Sequence, residues 1–353
     1  SQQQSRRKLQ NTLREAILQA LTNAQSQHDL QASWARLEAN FSRLFSAPKD
    51  VEAFKGLVLD LAVTGRMLPP THGQIETGKA VVEAIAAARQ AWANQADGQE
   101  QKEALGMLKK LRTQHVQLPT DLLPENWYWA TLLQVSQAVV DCHNKTAPYV
   151  LEGIHLVRTT DIRNGRMDLN KTKKISEETY EYWARRLPPR AGDIFFTREA
   201  PMGEAAIVPD GERICLGQRT MLIRLFDQHF SNRFLLYTIM SPSFQARMIE
   251  AAIGMTVKHL RVGGVEDLVV PVPPKHEQDQ IVELVDRLFE VCDRYKRYLE
   301  KRLGLSACLA ANAVSQLTGI SINEDDEPVK VPQTELISRL RLGQAPSVKE
   351  QAP

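Results

Sequence analysis

The chain has no run of about 18 apolar residues, so nothing in it is long enough to cross a bilayer as a helix. Cysteine is scarce: Cys142, Cys215, Cys292 and Cys308 are the four in 353 residues, and no two form C-x-x-C. That spacing excludes a disulfide framework and the usual zinc patterns, and it fits a reducing cytoplasm, the expected location. Excess charge of one sign is missing too. Lys and Arg number 44 against 42 Asp and Glu, a formal net charge of +2. A nucleic-acid partner would therefore have to be met by local patches. The start, Ser1-Gln2-Gln3-Gln4, has neither an initiating Met nor an apolar h-region. We expect a chain trimmed from a longer one, without a signal peptide.

Motifs for chemistry are absent as well. No G-x-x-x-x-G-K-[ST] occurs, and Thr77-Gly78-Lys79-Ala80 lacks both the spacing and the hydroxyl that a magnesium site needs. There is no G-x-G-x-x-G and no H-E-x-x-H. The Pro-Pro pairs at 69–70, 188–189 and 273–274 lack the Asp/Asn and aromatic neighbours with which amino-methyltransferases hold an exocyclic amine. His143 beside Cys142 is no metal pair, because sequence neighbours need not face each other. The expectation is a chain with no catalytic residue, no metal site and no cofactor of its own.

What is present is pattern. Residues 1–120 read as helices. Leu9, Leu13, Ile17 and Leu21 recur every four residues, and Leu30, Trp34, Leu37, Phe41 and Leu44 at helical spacing. Phe54, Leu57, Val58 and Leu61 repeat the theme before Gly65, and Val81, Ile85, Ala88 and Trp92 start another stripe. The polar break Asn94 to Gly98 precedes a stripe at Leu105, Leu108 and Leu111. From Trp127 to Pro274 the texture changes to short β-rich runs at Ile154–Val157, Asp193–Thr197, Ala206–Val208, Arg213–Cys215, Met221–Leu225 and Leu268–Val272. A helical stretch at Asn232–Ala252 is broken near Pro242. The spacing thus predicts an α+β chain: helical residues 1–120, a mixed domain over 121–275, one long helix over 276–318 and a tail over 319–353. In the long helix Ile281, Leu284, Leu288, Val291, Tyr295, Tyr298, Arg302, Leu305 and Leu309 keep a 3-4 period, a coiled-coil seam for a partner helix. A second stripe (Val282, Val285, Phe289, Cys292, Leu299, Leu303) widens its apolar face.

Between Arg158 and Arg198 ten Lys/Arg stand against six acids, with Tyr180, Tyr182 and Trp183 among them. Three clusters stand out: one right after a strand, one in a turn before the next strand, and one in a polar loop after a helix. They are Phe196 to Gly203, with Arg198 and Glu199, then Leu216-Gly217-Gln218-Arg219-Thr220, then Gly254 to Leu260. Arg pairs bidentately with guanine and Gln with adenine, while Thr and Lys hold phosphate. The residues expected to converge on DNA are Arg158, Thr160, Arg198, Gln218, Arg219, Thr256, Lys258 and His259. The bland alternatives are solvated loops, a local Arg198–Glu199 ion pair and plain turn packing at Gln218–Arg219.

These clusters, in this order, resemble the specificity subunit of type I restriction–modification systems, over roughly Val51 to Leu317. Phe54 to Met67 looks like that family's helix before its first target-recognition domain, and Leu123-Pro124-Glu125-Asn126-Trp127-Tyr128-Trp129 like the start of that domain. Gly192-Asp193-Ile194-Phe195-Phe196-Thr197-Arg198 matches its Gly-Asp strand. Val269 to Pro274 with Glu277-Gln278 and Ile281-Val282 matches its exit strand and spacer helix. The resemblance implies a non-catalytic reader of double-stranded DNA. It would direct methyltransferase and restriction/translocase subunits, which carry S-adenosylmethionine, ATP and Mg²⁺, to a bipartite site. It would not enter a membrane. The family has two recognition domains and only one is found here, so the chain is expected to be a natural half-subunit or a fragment. As a half-subunit it could homodimerise through the helix bearing Ile281, Leu284, Leu288, Val291, Tyr295 and Tyr298, or that helix could pair with Phe54–Leu61 in its own chain. The alternatives are the recognition portion of a larger single-chain restriction or methylation enzyme, and a helical scaffold with no DNA role.

Overall fold

The period of 3.6 in the first 120 residues becomes five helices: α1 (Gln2–Thr22), α2 (Gln27–Leu44), α3 (Pro48–Val63), α4 (Gly78–Gln95) and α5 (Gly98–Thr113). A computed structural model describes residues 2–24, 26–69, 76–120, 123–143, 145–252 and 260–318. Beyond them the chain runs β1 (Tyr128–Thr131), α6 (Leu132–Val135), β2 (Ser136–Asp141), β3 (Ile154–Val157), β4 (Ile162–Arg163), β5 (Arg166–Met167) and β6 (Lys173–Ile175). It continues with α7 (Glu177–Trp183), β7 (Ile194–Thr197), β8 (Ala205–Ile207), β9 (Ile214–Leu216) and β10 (Thr220–Leu225). Last come α8 (Asn232–Met240), α9 (Pro242–Ala252), α10 (Val262–Glu266), β11 (Val269–Val272) and α11 (Lys275–Thr318). The expected tail 319–353 lies outside the described residues.

Two compact units divide the chain, and they cut it differently from the four expected segments. One gathers Ser1–Leu61, Arg66–Pro69 and the chain from Glu283 onward; the other holds Ala62–Gly65 and Pro70–Val282. Helices α4 and α5 therefore belong with the strands, not with the helices before them.

In the first unit the α2 stripe Leu30, Trp34, Leu37, Phe41 and Leu44 is buried, with Phe54, Leu57, Val58 and Leu61 of α3. Helix α11 lies against these helices: the Phe41 and Tyr295 rings are 5.4 Å apart, and the Tyr295 hydroxyl donates to the Phe45 carbonyl at 3.0 Å. Lys55 pairs with Asp293, and Lys296 with Glu52 at 2.6 Å. The helix thus packs within its own chain. The buried line on α11 is Ile281, Val285, Leu288, Cys292, Tyr295 and Leu299. This corrects the expected seam. Of its positions, Ile281, Leu288 and Tyr295 are buried, while Leu284, Val291 and Tyr298 lie half-exposed and Arg302 and Leu309 are exposed. Both lines keep a 3-4 period and share Ile281, Leu288 and Tyr295; at the alternate positions the partner helices take Val285, Cys292 and Leu299 in place of Leu284, Val291 and Tyr298. On α1 the stripe is also corrected: Leu21 is buried, but Leu9 and Leu13 are 70% and 49% exposed.

The second unit holds all the strands. A four-stranded antiparallel sheet has the order β2-β10-β7-β8 and a three-stranded sheet the order β6-β3-β9, with β3 and β9 parallel. The antiparallel pair β1-β11, drawn from the two ends of the unit, and the hairpin β4-β5 complete it. Phe195, Leu222, Val140, Val157 and Leu216 are among the residues that form its core. No strand was expected between Trp127 and Ile154, yet β1 and β2 lie there, and β2 is buried except at Asp141. The predicted α5 stripe gives way to Glu103, Ala104 and Met107, leaving Leu105 exposed. Glu103 faces inward because Arg186 meets it with two hydrogen bonds of 2.8 Å.

The two ends of this unit are tied by the motifs that the resemblance singled out. β1 pairs with β11 from Tyr128↔Val272 to Thr131↔Val269. Buried Glu277 accepts from Trp127 Nε1 and Asn126 Nδ2, both at 2.6 Å. Gln278, fully buried, donates to the Pro273 carbonyl at 3.0 Å and accepts from the Ser231 amide at 2.8 Å. Asp193 of the Gly-Asp strand receives Arg224 at 2.8 and 2.7 Å.

Candidate nucleic-acid interface

Strand pairing alone brings several loops to one end of the two sheets. β10 begins where β2 and β7 finish: Met221 is opposite Asp141 and Thr220 opposite Thr197. β3 and β9 run parallel and finish together, Val157 beside Leu216. The turn Gly217-Gln218-Arg219 links the end of β9 to the start of β10. The residues after β2, β3, β7 and β9 therefore share one edge, and they include Arg158, Arg198, Glu199, Gln218 and Arg219. Gly217 is needed there for close approach: a Cβ would sit 2.4 Å from the Val157 carbonyl oxygen and 2.9 Å from Arg158 Cγ. Leu260 joins the same edge, its amide donating to the Arg198 carbonyl at 3.2 Å. Thr256, Lys258 and His259 lie outside the described residues.

The arginines at this edge differ in role. The expectation of a DNA-facing Arg198 is corrected, because its side chain turns inward, 14% exposed, onto Asp141 at 3.0 Å. It also donates to the Leu260 carbonyl at 3.3 Å. A buried cation needs such a partner, and Asp141 comes from β2, far away in sequence. Glu199 pairs with Arg219 rather than with its neighbour Arg198, at 3.0 Å, and Arg219 is 57% exposed. Arg219 adopts a left-handed φ of 65°, with its amide donating to Cys142 Sγ at 3.2 Å and its carbonyl accepting from Arg198 at 2.9 Å. Gln218 reaches Thr146 Oγ1 at 3.3 Å.

Arg158 and Thr160 continue into a second feature. With Asp161, Arg163, Arg166 and Lys171 they line a cavity of about 620 Å³. Asp161 caps the turn after β3, accepting from the Arg158 amide at 2.9 Å and lying 3.5 Å from its guanidinium. Exposed Thr160 donates to Asp161 at 2.9 Å. Arg163 and Arg166 stand opposite each other across the β4-β5 hairpin. Its two-residue turn is Asn164-Gly165, at φ 50° and 77°, the left-handed pair that a type I′ turn requires. These two arginines and Lys171 were not among the expected site residues. Asn-Gly between arginines was the signal that could have found them.

Beside β2, His143 stacks on Trp183 at 4.7 Å, and the Arg185 guanidinium lies 4.0 Å from the Tyr182 ring. Partial burial, then the charges of Arg185 and Lys145, hold the His143 imidazole below its ordinary range, so it is neutral at pH 7. Burial, aided by the Asp141 charge, pushes the Cys142 thiol up. Burial also pushes Cys215 and Cys292 each up to about 12. Thiols so shifted remain protonated at neutral pH and are poor nucleophiles and metal ligands. Among the described residues no group of three or more His, Cys, Asp or Glu is placed to hold a metal ion.

Cationic and amide side chains gathered at strand ends, beside an arginine-lined cavity, are the features of a DNA-recognition domain. Residues 147–303 match the type I restriction modification DNA specificity domain. The chain is 26% identical over 318 residues to the type I restriction enzyme EcoAI specificity subunit of Escherichia coli, covering 88% of this chain and 51% of that one. It is 24% identical over 272 residues to the EcoBI specificity subunit of the same organism, covering 76% and 50%. The crystal structure of the HsdS subunit from Thermoanaerobacter tengcongensis is similar at a TM-score of 0.38, with 18% identity over 63% of this chain and 51% of that one. Over most of its length the chain is similar to type I restriction–modification specificity subunits. It spans about half the length of the relatives it matches.

Proposed function

We propose that this chain reads one half of a bipartite site in duplex DNA and directs methyltransferase and restriction/translocase subunits to it. Catalysis, with S-adenosylmethionine, ATP and Mg²⁺, belongs to those partners, and the cytoplasm is where they would meet. The observation that carries this reading is the convergence of Arg158, Gln218 and Arg219 at one sheet end, next to a cavity walled by Arg163, Arg166 and Lys171. Base edges are read by bidentate Arg and Gln, while the register on the duplex is held by cations on phosphate. Arg219 and Gln218 suit the first task. Lys171, which is exposed and held only loosely by Asp168 at 3.4 Å, suits the second.

Two copies of the chain would supply two identical half-site readers through an isologous contact. Leu288 is committed to the chain's own core, so such a contact would use the exposed Leu303 and Leu309 of α11. The test of DNA reading is a salt titration. The purified chain should bind duplex DNA with an affinity that falls linearly in log-log form, and Lys171→Gln should lower the slope by about 1 for every sequence alike. Binding that ignores salt would sink the proposal, and so would methyl transfer to DNA by the chain alone.

A further inference from the structure

We propose that Glu199 and Arg219 together read a single G·C pair in the major groove, Arg219 on the guanine and Glu199 on the cytosine. This deepens the DNA-recognition reading above and rests on it.

The pair is held rigidly at its roots and is open at its tips. Arg219 is pinned through its amide to Cys142 and through its carbonyl to Arg198. Glu199 sits in a loop closed on Thr197, whose hydroxyl donates to the Pro201 carbonyl at 2.6 Å and accepts from the Glu204 amide at 3.0 Å. Three residues other than glycine adopt positive φ among those described, and two of them are Arg219 itself and Ala200, the residue after Glu199. A left-handed backbone is costly for a residue with a side chain, and such strain gathers where a side chain must be aimed.

The chemistry selects the base pair. The contact to Glu199 uses Arg219 Nε. The Arg219 side chain is 57% exposed, and its guanidinium carries two terminal nitrogens beyond Nε. Those nitrogens match guanine N7 and O6, and the carboxylate beside them matches the cytosine N4 amino group. The order donor, donor, acceptor on the protein faces acceptor, acceptor, donor on the base pair. An A·T pair would set its adenine amino group against the guanidinium and the thymine O4 against the carboxylate, two like-against-like contacts. A phosphate would meet the same carboxylate and be repelled. Glu199 therefore tells base edge from backbone, which an unaccompanied arginine does poorly.

Binding-site selection from a randomised duplex pool tests this with the 353-residue chain, Glu199→Gln and Arg219→Ala. The wild-type chain should enrich G·C at one position that Arg219→Ala abolishes. Glu199→Gln should weaken preference at that same position by roughly tenfold, leave the others intact and melt at the wild-type temperature. Unchanged preference in Glu199→Gln would overturn the proposal. A uniform loss at all positions with normal melting would also overturn it, reducing Glu199 to a support of the loop. If the wild-type chain enriches no sequence at all, the DNA-recognition reading itself falls.

Discussion

Arg219 and Arg224 bracket a single strand, β10, and do opposite things. Arg224 is 7% exposed and locked into a two-pronged pair with Asp193, with a further bond of 2.7 Å to the Pro188 carbonyl. Arg219, just before the strand, meets one half-exposed carboxylate and has a side chain that is 57% exposed. Residue type is identical, and so is sheet position apart from the end. The difference lies in what long-range pairing delivers to each end. β7 brings Asp193 to one end of β10 as a buried counter-charge, and the loop after β7 brings Glu199 to the other as an exposed one. A buried ion pair is part of the fold's integrity, while an exposed one is worth little to stability and can be exchanged for another partner.

The largest expected effect breaks the buried side of that comparison. Arg224→Ala strips buried Asp193 of its two-pronged partner, leaving it the Arg190 amide at 2.9 Å and a half-exposed guanidinium at 4.0 Å, and should cost about 3–5 kcal/mol, seen as a lower midpoint in urea unfolding. A loss under 1 kcal/mol would show that water reaches Asp193 and that the two arginines differ less than their burial suggests.

Arg219→Ala should behave the other way. Its stability should stay within about 1 kcal/mol of wild type, while discrimination at one base position falls by about 1–3 kcal/mol. Competition binding with single-base variants of the preferred duplex measures this. Equal weakening on every duplex would reassign Arg219 to phosphate contact.

The smallest effect extends the comparison to pH. Burial alone would raise the Glu103 carboxyl, but the hydrogen bonds and charge of Arg186, helped by Gln99 and Lys110, outweigh it and leave the group below its ordinary value of 4.5. A depressed carboxyl stabilises the folded state fully above the unfolded value and loses that contribution as pH falls through the folded one. Wild type should therefore exceed Glu103→Gln in stability at pH 7, with the gap closing below about pH 4.5. Thermal melts across that range would show it, and a gap independent of pH would assign the effect to packing.

Much of this was legible before any coordinates. The 3.6 period marked α2, α3 and α4, the break at Pro242 separated α8 from α9, and the runs at Ile154, Asp193 and Met221 became strands because apolar and β-branched residues are bounded there by turn formers. The Asn164-Gly165 hairpin was missed, although an Asn-Gly pair is a strong local hairpin signal. Of the residues collected at the sheet edge, Gln218 and Arg219 stand in the cluster before a strand, and Arg158 opens the basic run that ends at Arg198. Arg198 was not separable from Arg219, since both are arginines in polar turns and only Asp141, 57 positions upstream of Arg198, distinguishes them.

Local sequence by itself determined most of the helical and extended segments, though not β1 and β2, and which side chains can carry charge to a strand end. These follow from dihedral preferences and from an apolar period that each segment holds within itself. The tertiary structure alone decided which neighbours of Ile281, Leu288 and Tyr295 on α11 face inward, Val285, Cys292 and Leu299 rather than Leu284, Val291 and Tyr298. Adjacent positions on a helix lie about 100° apart, and a wide stripe offers both lines equally until Phe41, Phe45 and Phe54 choose one. It decided the fate of each arginine for the same reason. A guanidinium becomes scaffold or reader according to whether pairing distant in sequence brings it a buried carboxylate or leaves it in water.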